Sequence, residues 1–134
     1  MNGDNFAPLL ALPYVRMLGF ELRQEDEGLR GHLPFADHLI GNPLVPALHG
    51  GVVGALLHLT ASARLMAEAG AGAGKVPQVF SCTIEYLASP ELRDCAARAE
   101  IVSRSRRFAN LRATAWQPHS GKAIGAATLQ FLLG

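Results

Sequence analysis

The chain has 134 residues, of which 49% are hydrophobic, and a formal net charge of +1. That length suits one domain with a real core, taken here as residues 1–134, and is short for two; the hydrophobic share argues against a disordered segment. Charges of both signs are mixed along the chain, so composition gives no reason to expect a nucleic-acid or membrane surface, a local basic cluster aside.

In chain order, the N-terminal NFAPLLALP is apolar but lacks a basic leader and a small-residue cleavage site, so it is not read as a signal peptide. No apolar run reaches the roughly 20 residues that span a bilayer, and a cytoplasmic protein is expected. Tyr14–Phe20 follows a proline and predicts a short helical turn leading into a strand, with Leu18, Phe20 and Leu22 alternating. The cluster EDEG at Glu25–Gly28 predicts a turn, and Leu29, Leu33 and Phe35 one face of a second strand. ADHLIGNPLVPALHGG, with its prolines and glycines, predicts an irregular loop. From Val52 to about Ala69 nearly every turn of the helical wheel is apolar or small, which predicts a helix buried all round.

AGAGAGK, from Ala69 to Lys75, reads as a linker; a phosphate-cradling loop would precede a helix, not follow one. The remainder reads as strands: VFSCTIEY with Phe80, Cys82, Ile84 and Tyr86 on one face, then CAARAEIVSRS, then FANLRATAW with Ala109, Leu111, Ala113 and Ala115 on one side. PHSG is a hairpin turn, and KAIGAATLQFLL carries the small residues expected where a sheet passes close to a helix. Cys82 and Cys95 have no metal-ligand spacing and read as reduced, mostly buried thiols. The fold class is therefore α+β: a curved antiparallel sheet wrapped round one long central helix. The sheet edges and apolar faces left over predict a dimer or larger assembly.

LHGGVVGALL at Leu48–Leu57 carries a resemblance that runs from about Tyr14 over nearly the whole chain. LPF and LIGNPLVPALHGG upstream, TIEYLASP at Thr83–Pro90, RSRR at Arg104–Arg107 and the closing SGKAIGAATLQF support it. Together they resemble the hotdog-fold thioesterases, specifically the phenylacetate-degradation (PaaI-like) group. The resemblance implies a homodimer whose two sheets join, often paired again as a homotetramer. It also implies hydrolysis of acyl-CoA thioesters in sites formed across the subunit interface, with coenzyme A as part of the substrate and no separate cofactor.

Such a site needs a donor for the thioester carbonyl and a base or nucleophile. By resemblance the backbone N–H of Gly50 or Gly51, at a helix start, polarises the carbonyl, and His49 shapes the loop. On the alternative reading the two glycines only make a tight turn. The family places an Asp or Glu nine residues after the motif histidine; here that position is His58, and the helix has no carboxylate before Glu68. His58 is thus either a general base, neutral through burial, or a hydrogen-bonded core or interface histidine.

The family's serine or threonine on the next strand falls at Val79, with Ser81 and Thr83 expected on the same face, and the loop asparagine is matched by Asn42 at a spacing one residue longer. Arg104, Arg106 and Arg107 are either the coenzyme A phosphate contacts that the resemblance implies or a solvated strand end. Asp37 and His38 read as loop residues, Glu85 as outward-facing, His32 as a strand-surface and His119 as a turn residue; no ligand set for a metal is present. The lead reading is an acyl-CoA thioesterase. Its rivals are a non-hydrolytic acyl-CoA binder or degenerate subunit, and a hotdog hydratase or dehydratase.

Overall fold

The computed structural model describes residues 6–42, 45–48, 50–69 and 75–133, with the backbone alone for 41, 42, 45–48 and 69. Two short helices, α1 (Ala7–Leu10) and α2 (Pro13–Leu18), precede the hairpin of β1 (Glu21–Glu25) and β2 (Gly28–Leu33). A 3-10 turn at Asp37–Leu39 leads into a small ladder of β3 (Ile40–Asn42) and β4 (Val45–Leu48). The long helix α3 (Gly50–Ala69) follows, then β5 (Gln78–Tyr86), β6 (Cys95–Arg104), β7 (Phe108–Gln117) and β8 (Lys122–Leu132).

Four sequence expectations are corrected at this level. Leu18 closes helix α2 rather than opening a strand, because Gly19 stops the helix in the left-handed conformation (φ 79°) and extended chain begins only at Glu21. The passage before α3 is not all loop: Ile40 pairs with Leu48, and Asn42 with Val45 and Ala47, an irregular register that its prolines hide from a reading by period. The third concerns apolar length. Residues Gly50–Glu68 have a mean hydropathy of 1.2 over 19 residues, so α3 is long and apolar enough to cross a membrane by length and composition, but 67% of that stretch is buried against the sheet. The fourth is His32, which is not a strand-surface residue: it is 4% exposed. Residues 70–74 of the expected linker lie outside the described residues.

Six strands form one antiparallel sheet in the order β1–β2–β6–β7–β8–β5. Alternation decides which side each residue takes: in β7, Ala109, Leu111, Ala113 and Ala115 are buried and Phe108, Arg112 and Thr114 are exposed, as the sequence predicts. Helix α3 touches β2, β5, β6, β7 and β8. Five strands at a spacing of about 4.8 Å extend over roughly 19 Å, whereas a helix is about 10 Å across. The sheet reaches them all only by curling round the helix, which is the expected architecture.

Small residues permit the close approach. A Cβ on Gly125 of β8 would stand 3.1 Å from Val53 Cγ1 and 3.4 Å from Leu57 Cδ1. The core so formed includes Leu56, Leu57, Leu65, Met66, Leu111, Ile124, Leu129 and Phe131. Cys95 belongs to it, its thiol pushed up to about 11 by burial, whereas Cys82, expected to be buried, is exposed on the edge strand β5.

Candidate functional site at the start of the central helix

Gly50, Gly54 and His58 are spaced by four residues and therefore share one side of α3. That side looks toward β5 and β8. A Cβ on Gly50 would lie 3.7 Å from Tyr86 Cε1, and one on Gly54 would lie 3.0 Å from Ile84 Cδ1 and 3.6 Å from the Tyr86 hydroxyl. Tyr86 donates its hydroxyl proton to the Gly50 carbonyl at 3.3 Å. At 54 the missing side chain lets strand and helix approach this closely, whereas a Cβ at 50 would make only ordinary contact.

The helix lies chiefly over the middle of the sheet, so the inward side of β5 stays open: Tyr86 is 58% exposed, and Cys82 is exposed too. This exposed side of β5 ends, at Tyr86, beside the first turn of α3. That turn carries the positive end of the helix dipole.

His58 lies further along the same stripe. Its ring is stacked on that of Phe131 of β8, with centroids 6.3 Å apart and planes at 19°. Its Nε2 is out of solvent and has no hydrogen-bond partner among the described residues. Desolvation by burial lowers its pKa below the ordinary histidine value, so the ring is neutral at neutral pH. The helix is thus not buried all round as expected: His58 and Ala55 are half-buried, and Gly50 and Gly51 are exposed.

The other residues singled out in the sequence scatter. His49 lies outside the described residues, and of Asn42 only the backbone, in β3, is described. Ser81 and Thr83 do not share a face with Val79. Val79 pairs with Phe131 and Ser81 with Gln130, so Phe80 is an extra residue and the alternation shifts after it. Val79, Cys82, Ile84 and Tyr86 therefore face the helix side, while Ser81, Thr83 and Glu85 face outward. Phe80 leaves the face expected for it, and its ring meets Phe108 edge-on at 5.9 Å.

The arginines Arg104, Arg106 and Arg107 stand at the β6–β7 hairpin. Phe108 pairs with Leu132, and Leu132 with Gln78, so this hairpin lies level with the start of β5. Tyr86 is eight residues further along, about 26 Å away at 3.3 Å per residue. One chain therefore does not bring its arginines to its own helix start.

His38 Nε2 sits 2.8 Å from the Met17 carbonyl, His119 meets Glu91 in its turn, and Asp37 opens the 3-10 turn. Among the described residues no three of His, Cys, Asp or Glu are grouped to hold a metal.

The model of the acyl-CoA thioesterase N-terminal domain matches residues 42–132, more than half of the chain. This protein belongs to that family. Its sheet-round-helix architecture is the hotdog fold of the thioesterase superfamily.

Solved structures share the fold over nearly the full length. A protein from Chromobacterium violaceum is 30% identical with a TM-score of 0.72, over 96% of this chain and 89% of that one. A phenylacetic acid degradation-related protein from Ralstonia eutropha JMP134 is 22% identical with a TM-score of 0.76, over 96% and 99%. A protein from Bacillus halodurans, solved with CoA, is 20% identical with a TM-score of 0.77, over 98% and 90%. No curated protein matches the sequence.

Within this thioesterase-family domain, Tyr86 and Ile84 are the site residues that sequence reasoning passed over. TIEYLASP was part of the resemblance, and alternation put Tyr86 on the helix side. Nothing in the sequence says that the ring reaches the first residue of α3.

Proposed function

We propose that the protein is a cytoplasmic acyl-CoA thioesterase whose cleft runs from the first turn of α3 to His58. The observation that carries this reading is the common stripe of Gly50, Gly54 and His58. It sets a helix N-terminus, suited to a developing oxyanion, in line with a neutral imidazole whose Nε2 has no partner among the described residues. The Bacillus halodurans relative binds CoA, which fits a coenzyme A ester as ligand here. The two free cysteines fit a reducing compartment.

In the reaction, His58 Nε2 takes a proton from water as the oxygen attacks the thioester carbonyl carbon. The negative charge that moves to the carbonyl oxygen is held by the backbone N–H groups of Gly50 or Gly51, with His49 shaping the loop before them. The tetrahedral intermediate then collapses: the carbon–sulfur bond breaks, and the coenzyme A thiolate recovers the proton from the His58 imidazolium. Water and thioester are the only reactants, so no cofactor is required. The carboxylate that the family uses at this position is replaced by imidazole, which reaches a working base strength at neutral pH.

The free edge of β5 and its open inward side fit a homodimer, or a pair of dimers, joined along that strand. Antiparallel joining there would bring the partner's hairpin, about 26 Å along its own β5, toward this chain's helix start. Arg104, Arg106 and Arg107 would then contact the coenzyme A phosphates from the second subunit, and Asn42 would be the family's loop asparagine in substrate binding. Ser81 and Thr83, which face outward, take no part in this cleft.

A second reading, a non-hydrolytic acyl-CoA binder, is favoured by one feature: among the described residues no group hydrogen-bonds His58 Nε2 to hold it as a base. Incubating the protein with short, long and aromatic acyl-CoA esters and measuring free thiol decides between the two. Thiol release above the uncatalysed rate supports hydrolysis; saturable binding of the esters without release supports the binder.

A further inference from the structure

Gly50 and Gly51 share one planar peptide unit, in which the Gly50 carbonyl and the Gly51 N–H point in opposite directions. Whatever fixes the carbonyl therefore aims the N–H. The plane lies in the first turn of α3, where neither glycine has a side chain to hold it further, and a donor to a developing oxyanion needs a fixed direction before the substrate arrives. Among the described residues, the side chain that reaches the Gly50 carbonyl is Tyr86, whose hydroxyl lies 3.3 Å away. The carbonyl has a second lone pair for this bond beside the one that serves the helix. Accepting it also polarises the peptide and makes its N–H a stronger donor.

Tyr86 is placed to do this by its surroundings. It pairs with Gly125, over which Val53 and Leu57 of α3 pack, so the helix lies close to this part of the strand pair. A Cβ at Gly50 would stand 3.7 Å from the ring, and one at Gly54 would stand 3.6 Å from the hydroxyl. Leu87, the next residue, is held by a bond from its N–H to the Ile124 carbonyl at 3.0 Å. The strand beneath the tyrosine is thereby anchored while more than half of the side chain stays exposed.

We propose that Tyr86 is a positioning residue for carbonyl activation: its hydroxyl, bonded to the Gly50 carbonyl, orients the Gly50–Gly51 peptide toward the thioester. This rests on the thioesterase reading above, but it is testable apart from it. Tyr86→Phe keeps the ring and removes only the hydroxyl. In the full chain the variant is expected to lower kcat three- to tenfold while KM stays within twofold. That is the size of one neutral hydrogen bond lost in the transition state.

Amide NMR spectra give the second readout. The variant is expected to shift the Gly51 amide resonance and speed hydrogen exchange at residues 50–53, leaving β8 and the rest of α3 unchanged. Unchanged exchange and resonance positions in the first turn overturn the proposal, whatever kcat does. So does equal acceleration of exchange over α3 and β8, which marks a general packing role. If the wild type hydrolyses no acyl-CoA, the thioesterase reading fails, and the NMR readout still decides whether Tyr86 holds the turn.

Discussion

Gly31 of β2 and Thr60 of α3 stand so close that a Cβ on residue 31 would overlap the Thr60 hydroxyl, with Phe20 Cε1 also only 3.1 Å away. This contact sets how deeply the helix sits in the sheet. Gly31→Ala is expected to destabilise the fold by about 1–3 kcal/mol in urea unfolding, as overpacking does. Adding Thr60→Ala is expected to return most of that loss, giving a coupling energy in the double-mutant cycle. A Gly31→Ala variant as stable as the wild type would show that helix and sheet are further apart.

The hydroxyls of Thr60 and Ser62 are fully buried and have no hydrogen-bond partner among the described residues. An unpaired buried hydroxyl carries its desolvation cost without return, and serine is a poorer helix former than alanine. Ser62→Ala is expected to raise stability by about 1 kcal/mol. Loss of stability by that amount would show that the hydroxyl has a partner in the folded protein.

Burial lowers the pKa of His58, and the sign of its effect on stability follows. Well above the ordinary value of 6.5 the ring is neutral folded and unfolded, and pH changes nothing through it. As pH falls below 6.5 the unfolded chain takes up a proton that the folded one refuses, so stability drops until the lower folded pKa is passed. Wild-type stability is expected to decline from pH 7 to 5, with a shallower slope in His58→Leu. If hydrolysis uses the neutral ring, kcat/KM rises with pH through a pKa below 6.5. Equal slopes for the two proteins would place His58 in solvent.

Asp94 ties two strand ends together. Its carboxylate accepts the Phe35 N–H at 2.8 Å and lies 3.1 Å from Nε2 of buried His32. The Phe35 N–H does most to lower the Asp94 pKa; burial, the next effect, opposes it, and His32 and then Arg23 add to the lowering, which leaves it below the usual aspartate value. That contribution is fully present above pH 3.8 and is lost as pH falls through the depressed folded value. Asp94→Ala, which leaves His32 Nε2 buried without this acceptor, is expected to cost about 1–3 kcal/mol at pH 7. A cost below 0.5 kcal/mol, on the order of a neutral surface change, would contradict the role.

Much of this was legible in the sequence, for reasons that particular residues make plain. Ala109, Leu111, Ala113 and Ala115 alternate because one side of β7 is buried, and the long proline-free run of apolar and small residues from Val52 announces α3. The bulge at Phe80 is invisible to a period of two: one extra residue moves Ser81 and Thr83 to the other face, and only pairing with β8 reveals it. His32 reads as surface because its cover, Asp94, is 62 residues away. The candidate site divides in the same way. Gly50, Gly54 and His58 are set by local helical spacing and could be read directly, while Tyr86 reaches Gly50 across 36 residues.

The central claim is that His58 acts as the base in the cleft below the start of α3. Single-turnover hydrolysis of a bound acyl-CoA by the wild type and by His58→Ala, alongside the affinity of each for that ester, tests it most directly. Loss of a general base is expected to slow the chemical step about 10²–10⁴-fold with ester affinity little changed. A His58→Ala variant that hydrolyses the bound ester at the wild-type rate would contradict it.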